Sequence, residues 1–265
     1  MTPARLAACS AAVLLSPALA LAQESDAELA KKLANPVASL ISVPLQTNYD
    51  CCFGPDEGGR YTLNIQPVVP LSLNDDWNLI IRTIAPVIYQ ERTSPTTGSA
   101  SGLGDITQSF FFAPKASHNG LIWAVGPAFL WPTGEDELGT KKWGAGPTFL
   151  VLKQQGGTTY GVLANHIWSY ADLDDNHRGD VSQTFVQPFL SWTSHTATTV
   201  GINTEASYNW RSEQWSIPVN LSVSHLYKFG GQRVSLGGGA KIYAARDGTG
   251  PEWGLRFIAT FLFPE

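Results

Sequence analysis

The dominant pattern along this chain is an alternation of apolar and polar residues with a period of two. The C-terminal segment shows it most clearly, with apolar side chains at Leu255, Phe257, Ala259, Phe261 and Phe263. Comparable alternation recurs from Ser39 onward, in segments separated by turn-forming residues. A period of two is typical of β-strands that present one face to an apolar environment.

The alternation predicts about twelve strands, each long enough to cross a bilayer at a tilt. They cover residues 39–50, 60–72, 77–91, 104–115, 121–133, 143–154, 158–171, 181–194, 198–211, 215–229, 233–246 and 252–263. Short connections alternate with mostly longer, more acidic ones, which is typical of outer-membrane barrels with both termini in the periplasm. The predicted fold class is therefore all-β, a transmembrane antiparallel up-and-down β-barrel of about 12 strands with a short N-terminal helix. Segments 104–115, 143–154 and 158–171 alternate poorly, and their faces stay unassigned.

The tryptophans favour a membrane barrel over a water-soluble β-sandwich. All nine lie near an end of a predicted strand. A soluble core would bury them in the middle of strands, whereas a membrane barrel places them in two girdles at the headgroups. In the barrel, Val219 and Leu221 face lipid, and the intervening Asn220 faces the lumen. Prolines inside several segments oppose this interpretation, because each removes a donor from the strand ladder.

The N-terminus predicts export. Residues 1–22 combine Arg5, an apolar stretch and the small-residue pattern Ala20-Leu21-Ala22, which together indicate a signal peptide. Residues 23–38 form a periplasmic leader, and residues 39–265 form the barrel. Ser25 and Glu28 have the spacing of a capping box, which predicts a short helix near 26–34. This helix either plugs the lumen from the periplasm or is a mobile leader.

Composition narrows the partners and the chemistry. The chain has a formal net charge of −5, which argues against nucleic acid as a partner.

The adjacent Cys51 and Cys52 fit no zinc or redox motif, and form either a vicinal disulfide or two loop thiols. The histidines fit no Ser-His-Asp motif, so the sequence predicts no catalytic residues, and it also predicts no cofactor or metal. The acidic spacing in residues 172–180 indicates either a solvated loop or a weak divalent-cation site.

The lumen carries the candidate functional residues. By strand parity the inward-facing charges are Arg82, Glu205, Arg211, Lys228, Lys241 and Arg256, together with the amides Asn64, Gln66, Asn203 and Asn220. Charges that line a narrow barrel determine which ions and molecules pass. The alternative is that these groups pair with one another and fill the interior. The excess of basic side chains predicts a mild preference for anions.

Four stretches carry a resemblance to a known family. They are NPVASLISVPLQTNYD (35–50), GLGDITQSFFFAPK (102–115), QPFLSW (187–192) and LRFIATFLFPE (255–265). They resemble a bacterial family named for meta-pathway phenol degradation, whose members are often labelled transporters and sometimes neuromedin U. The likeness runs from about Lys31 to the end. It implies an outer-membrane β-barrel that passes small organic molecules, and it supplies no catalytic residues.

The sequence thus predicts a non-enzymatic channel in the cell outer membrane for passive uptake of small molecules, including aromatic compounds or organic acids. The expected partners are outer-membrane lipids, the barrel assembly machinery and a small-molecule substrate. Two alternatives stay open: a structural barrel that conducts nothing, and an outer-membrane lipid hydrolase.

Overall fold

The computed structural model describes residues 25–94, 97–174, 178–246 and 248–263, so the predicted signal peptide lies outside it. Within these ranges, helix α1 (Asp26–Leu33) precedes fifteen β-segments. These are β1 (Ile41–Phe53), β2 (Gly58–Ile65), β3 (Val68–Ser72), β4 (Trp77–Ser94), β5 (Thr97–Leu103), β6 (Ile106–Pro114), β7 (Leu121–Trp131), β8 (Lys142–Gln155), β9 (Thr158–Asp172), β10 (Ser182–Thr193), β11 (Thr198–Thr204), β12 (Ala206–Asn209), β13 (Gln214–Phe229), β14 (Gln232–Ala245) and β15 (Trp253–Phe263).

The fifteen segments form a closed antiparallel barrel of twelve strands. Three of these strands are interrupted, and each of the three consists of two segments. Segments β2 and β3 both pair with β4, as do β5 and β6, while β11 and β12 both pair with β10 and β13. Each of the twelve strands coincides with one segment of the predicted alternation, mostly with boundaries shifted by a few residues. The exception is the strand of segment 104–115, which begins earlier with β5 (Thr97–Leu103), a stretch that lies outside every predicted strand. The predicted fold class and the short N-terminal helix are confirmed.

The apolar residues of the C-terminal segment belong to the strand that closes the barrel. Strand β15 pairs with β1 over its whole length, from Ile41 opposite Phe263 to Cys51 opposite Trp253. Pairing of β9 with β10 completes the ring. Since an unpaired sheet edge cannot be tolerated in lipid, the last strand must meet the first. The aromatic stripe of β15 is therefore part of a continuous lipid-facing surface.

The predicted faces of the well-patterned strands are confirmed. In β15, Leu255 and Phe257 are exposed on the outer surface, whereas Arg256 between them is buried inside. In β13, Leu221 is 59% exposed and the adjacent Asn220 only 3%. Alternate residues therefore face lipid and lumen, as the parity of the sequence predicts.

The three segments with poor alternation line an apolar part of the barrel interior. Phe111, Leu150, Leu152 and Leu163 are almost completely buried and belong to one hydrophobic cluster, together with Val37 of the chain that leads into β1. Outward neighbours such as Phe112, Phe149 and Val151 are also apolar but exposed. Because both faces of these strands are apolar, a hydrophobic/polar pattern cannot distinguish them.

Aromatic side chains mark the two ends of the barrel. We call the end that holds α1 and the short turns the inner end, which in outer-membrane barrels faces the periplasm. Trp77 and Trp123 contact each other there, with ring centroids 5.8 Å apart. At the opposite, outer end, Trp131 and Trp143 lie 5.5 Å apart. No helix among the described residues is long and apolar enough to cross a membrane.

Candidate functional site: the barrel lumen

Helix α1 is docked at the inner end of the lumen. Its N-terminus is capped as expected, since the Ser25 hydroxyl accepts a hydrogen bond from the Glu28 amide at 3.2 Å. Leu29 is 1% exposed and belongs to a cluster with the barrel residue Leu226. Asp26 forms an ion pair with Arg233 of β14, with Nε and Oδ1 2.7 Å apart. The helix is therefore docked at the lumen as a plug and is not a free leader.

The most buried interior charges are paired. Arg256 donates to both carboxylate oxygens of Glu205, at 2.8 and 2.7 Å, and its Nε donates to Oδ1 of Asn48 at 2.8 Å. Glu205 stands at the break between β11 and β12. A buried arginine needs such a set of partners, because a desolvated charge without them is costly.

A second paired group lies nearer the outer end. Lys241 Nζ and the Tyr243 hydroxyl both donate to Oδ1 of Asp50, at 2.8 and 2.9 Å. Arg60, opposite Asp50 in the strand register, donates to Oε1 of Gln90 at 3.0 Å. Asp50, Arg60 and Tyr243 are absent from the predicted lumen set. Strand parity alone could have found Asp50, which lies two residues after the inward-facing Asn48.

Arg82 differs from these groups because it faces open space. Its Nη2 donates to Oε1 of Gln66 at 3.2 Å. Two cavities occupy the lumen, one of about 300 Å³ beneath α1 and one of about 250 Å³ further out, and Gln66, Arg82 and Gln187 line both. Asn64 lines the outer cavity and Asn203 the inner one. The guanidinium of Arg82 thus stands where the two cavities meet.

The remaining predicted residues lie elsewhere. Asn220 is buried and donates to Oδ1 of Asn203 at 2.8 Å. Lys228 is on the inward side of β13, but it is exposed at the inner end. Arg211 does not face the lumen: it lies in the turn after β12 and forms an ion pair with Asp180 at 2.8 Å. Because β12 ends at Asn209, the alternation of inward and outward side chains does not extend to Arg211.

The adjacent cysteines form a vicinal disulfide in the structure, the first of the two alternatives. They coincide with a bulge at the outer end of β1, where Cys52 has a φ of +71°. The extra residue turns Phe53 to the same side as Asp50, so Phe53 is buried and its ring lies beneath the Arg60 guanidinium, 5.0 Å away. The bulge therefore places an aromatic ring over the outer part of the lumen.

The acidic loop after β9 engages basic side chains. Lys142 forms ion pairs with Asp172 and Asp180, whereas residues 175–177 lie outside the described part. Among the described residues, no group of three or more potential metal ligands comes together. His166 lies on the outer surface beside Trp168, with ring centroids 4.0 Å apart. Because residues 175–177 lie outside the described part, both alternatives for this loop stay predictions.

These features define an outer-membrane β-barrel whose lumen is partly filled and has a helix at its inner end. Among solved structures, the chain is similar to an outer membrane channel from Pseudomonas putida F1, with a TM-score of 0.67 at 13% identity, covering 85% of this chain and 96% of that one. It is also similar to the NanC porin, with a TM-score of 0.49 at 10% identity over 84% and 100% of the two chains. At these identities the first similarity shows the fold alone.

No protein-family model and no curated protein matches the chain. The resemblance to the phenol-degradation family therefore stays a prediction.

Proposed function

We propose that the protein is a passive outer-membrane channel for small organic molecules, with a preference for anions. The observation that carries this proposal is the pair of cavities that meet at Arg82. They provide space along the lumen, and the walls of both combine amide and hydroxyl groups with apolar side chains. Such walls suit molecules that have one charged or polar group and an apolar body.

The charge of the interior supports the anion preference. Among the described residues, the cations that face the middle and outer lumen include Arg60, Arg82, Lys241 and Arg256, and the carboxylates Asp50 and Glu205 lie beside them. Lys142, at the outer end, is paired with Asp172 and Asp180. Because Lys241 and Arg256 are neutralised by these carboxylates and Arg60 lines neither cavity, the uncompensated positive charge beside the cavities is that of Arg82. A basic constriction attracts anions and repels cations.

A non-conducting structural barrel is the second candidate, and the docking of α1 favours it. The helix buries Leu29 and Ala30 at the inner end and forms an ion pair with the wall. For the channel we propose, this end must open when α1 leaves its site. An ion pair that is exposed on the Asp26 side is a weak restraint, so the apolar contacts dominate the docking.

Planar-bilayer recording of the purified protein tests the proposal. We expect discrete conductance steps and a reversal potential in a potassium chloride gradient that indicates anion preference. The preference should increase at low salt, where screening is weaker. Arg82→Gln should reduce it, whereas Arg246→Gln should leave it unchanged, because Arg246 is exposed in an outer loop and paired with Glu252.

Three outcomes would contradict the proposal. Cation preference of the unmodified protein would reject the basic lumen. Absence of conductance, both in the complete protein and after deletion of residues 25–33, would establish the closed structural barrel. Release of fatty acids from phospholipid vesicles would establish the lipid hydrolase.

A further inference from the structure

Arg82 lies at the boundary that the two lumen cavities share. It lies in β4 opposite Val68 and Ser109 of the neighbouring strands, and its side chain lines both cavities. Gln66 and Gln187 are the other two polar side chains common to both. A small molecule that moves between the cavities must therefore pass this guanidinium.

The pairing of Arg82 is unlike that of most interior cations. Arg256, Lys241, Arg233 and Lys142 each have a carboxylate oxygen within hydrogen-bond distance. Arg82 has only the neutral amide oxygen of Gln66, and no carboxylate lies within 4.0 Å of it among the described residues. A guanidinium has five N–H donors in a planar fork, and only one of those of Arg82 has a side-chain or backbone acceptor among the described residues. The others are available to a molecule in the cavities.

Arg60 also has no carboxylate within 4.0 Å among the described residues, but its surroundings differ. Its guanidinium donates to Gln90 and lies over the ring of Phe53. It lines neither of the two lumen cavities. Arg60 is therefore a matched control: an interior arginine without a carboxylate partner that does not face the cavities.

The site is suited to an oxyanion of single charge. Carboxylates match the guanidinium fork with two parallel hydrogen bonds, and these are strongest where water is scarce. Glu205 lines the same outer cavity, although its two oxygens are engaged by Arg256. Among the described residues that line the outer cavity, Arg82 is the one cation, so the second charge of a dianion would be desolvated there without a partner.

The outer cavity also provides an apolar wall. Ile84, Leu130, Ile167 and Phe185 line it together with amide side chains. Its volume of about 250 Å³ is slightly below the range of about 300–1,000 Å³ for drug-sized ligands. The space therefore suits a molecule with one ring or a short chain.

From these observations we propose that Arg82, assisted by Gln66 and Gln187, is a binding site for the carboxylate of a small monocarboxylic acid whose apolar body occupies the outer cavity. The site deepens the proposed channel function, because it identifies the substrate class at the point where the two cavities meet. The carboxylate of a bound acid stays at Arg82, between the two cavities, until a water molecule or another anion replaces it.

Calorimetric titration of the detergent-solubilised full chain with benzoate tests the site. We expect saturable binding, and Arg82→Gln should weaken it by at least about tenfold, because charge-assisted hydrogen bonds are lost. Arg60→Gln should change it less than about twofold, because a charge outside both cavities makes no direct contact with the ligand. Benzyl alcohol, which has the same ring without the charge, should bind more weakly and be insensitive to Arg82→Gln. Phthalate should also bind more weakly than benzoate, because its second charge would be buried without a cationic partner.

Arg82→Lys and Arg60→Lys give a second comparison in case the glutamine variant does not fold. The lysine at position 82 should retain part of the affinity for benzoate, because it keeps the charge but loses the fork. The site is rejected if benzoate does not bind, if the two arginine positions have equal effects, or if benzyl alcohol or phthalate binds as well as benzoate.

Binding and conductance separate this inference from the channel proposal. Arg82-dependent benzoate binding without any conductance would uphold the site and reject the channel. Conductance without benzoate binding would uphold the channel and reject the site.

Discussion

Glu205 and Arg256 form a bidentate ion pair across the barrel interior, with N–O distances of 2.8 and 2.7 Å. The two residues lie 51 positions apart in the chain, on strands separated by β13 and β14, and their side chains meet inside the curved sheet. The Arg256 side chain is only 5% exposed, so its charge depends on this carboxylate. The pair ties the broken strand β11–β12 to the C-terminal strand β15.

Replacing Glu205 should therefore destabilise the barrel. Glu205→Gln leaves a buried guanidinium without its counter-charge, and we expect a loss of about 3–5 kcal/mol in the free energy of unfolding. Urea-induced unfolding in lipid vesicles measures it. Glu252→Gln removes the exposed partner of Arg246 and should cost at most about 1 kcal/mol. Similar losses for the two variants would show that the interior pair is solvated.

A charge on the lipid face should cost more than the same charge in the lumen. Leu221 lies near the middle of β13 and faces outward, so Leu221→Arg should cost about 2–4 kcal/mol. The adjacent Ser222 lines the inner cavity, and Ser222→Arg should be milder because the cavity has room and polar groups for the guanidinium. Asn220 is a poorer control, since it is buried against Asn203. Equal free energies of unfolding for Leu221→Arg and Ser222→Arg in lipid vesicles would refute the assignment of faces.

Loosening α1 should increase conductance. Leu29 is the most buried residue of the helix, at 1% exposure, and truncation of such a side chain typically costs about 2–5 kcal/mol. Leu29→Ala should therefore raise the fraction of time that the pore is open in bilayer recordings. Glu28→Gln is the control, because Glu28 is exposed on the same helix and glutamine keeps the capping-box side chain. Equal open fractions in both variants and the unmodified protein would indicate that α1 does not gate the lumen.

The bulge at Cys52 gives a prediction about the backbone. A β-branched residue with a φ near +71° is strained by roughly 1–2 kcal/mol, whereas glycine is not. We therefore expect Cys52→Gly to be more stable than Cys52→Val by about that amount in vesicle unfolding. Both variants lack the disulfide, so the difference reports the backbone alone.

Cys51 provides the matched comparison. It lies in the regular ladder opposite Trp253 and Gly59, where valine is favoured over glycine. The order of stability at position 51 should therefore be the reverse of that at position 52. The same order at both positions would mean that the bulge is absent in solution.

The sequence by itself determined the fold class, the number of strands and the helix cap. The alternation in segments such as 215–229 reports directly which side chains face lipid, because a strand places neighbours on opposite faces. Tryptophans near strand ends identify the headgroup levels in the same local way. The spacing of Ser25 and Glu28 specifies a helix N-terminus without reference to the rest of the chain.

Only the tertiary structure decided which interior groups are paired and which face open space. Arg82 and Arg256 are equivalent by parity, yet one lines two cavities and the other is bound to Glu205 and Asn48. Barrel closure sets these partners, and the Asn48–Arg256 contact joins residues 208 positions apart. The faces of strands near Leu150 also required the structure, because the interior is apolar there and the two sides of the strand differ in neighbours, not in chemistry.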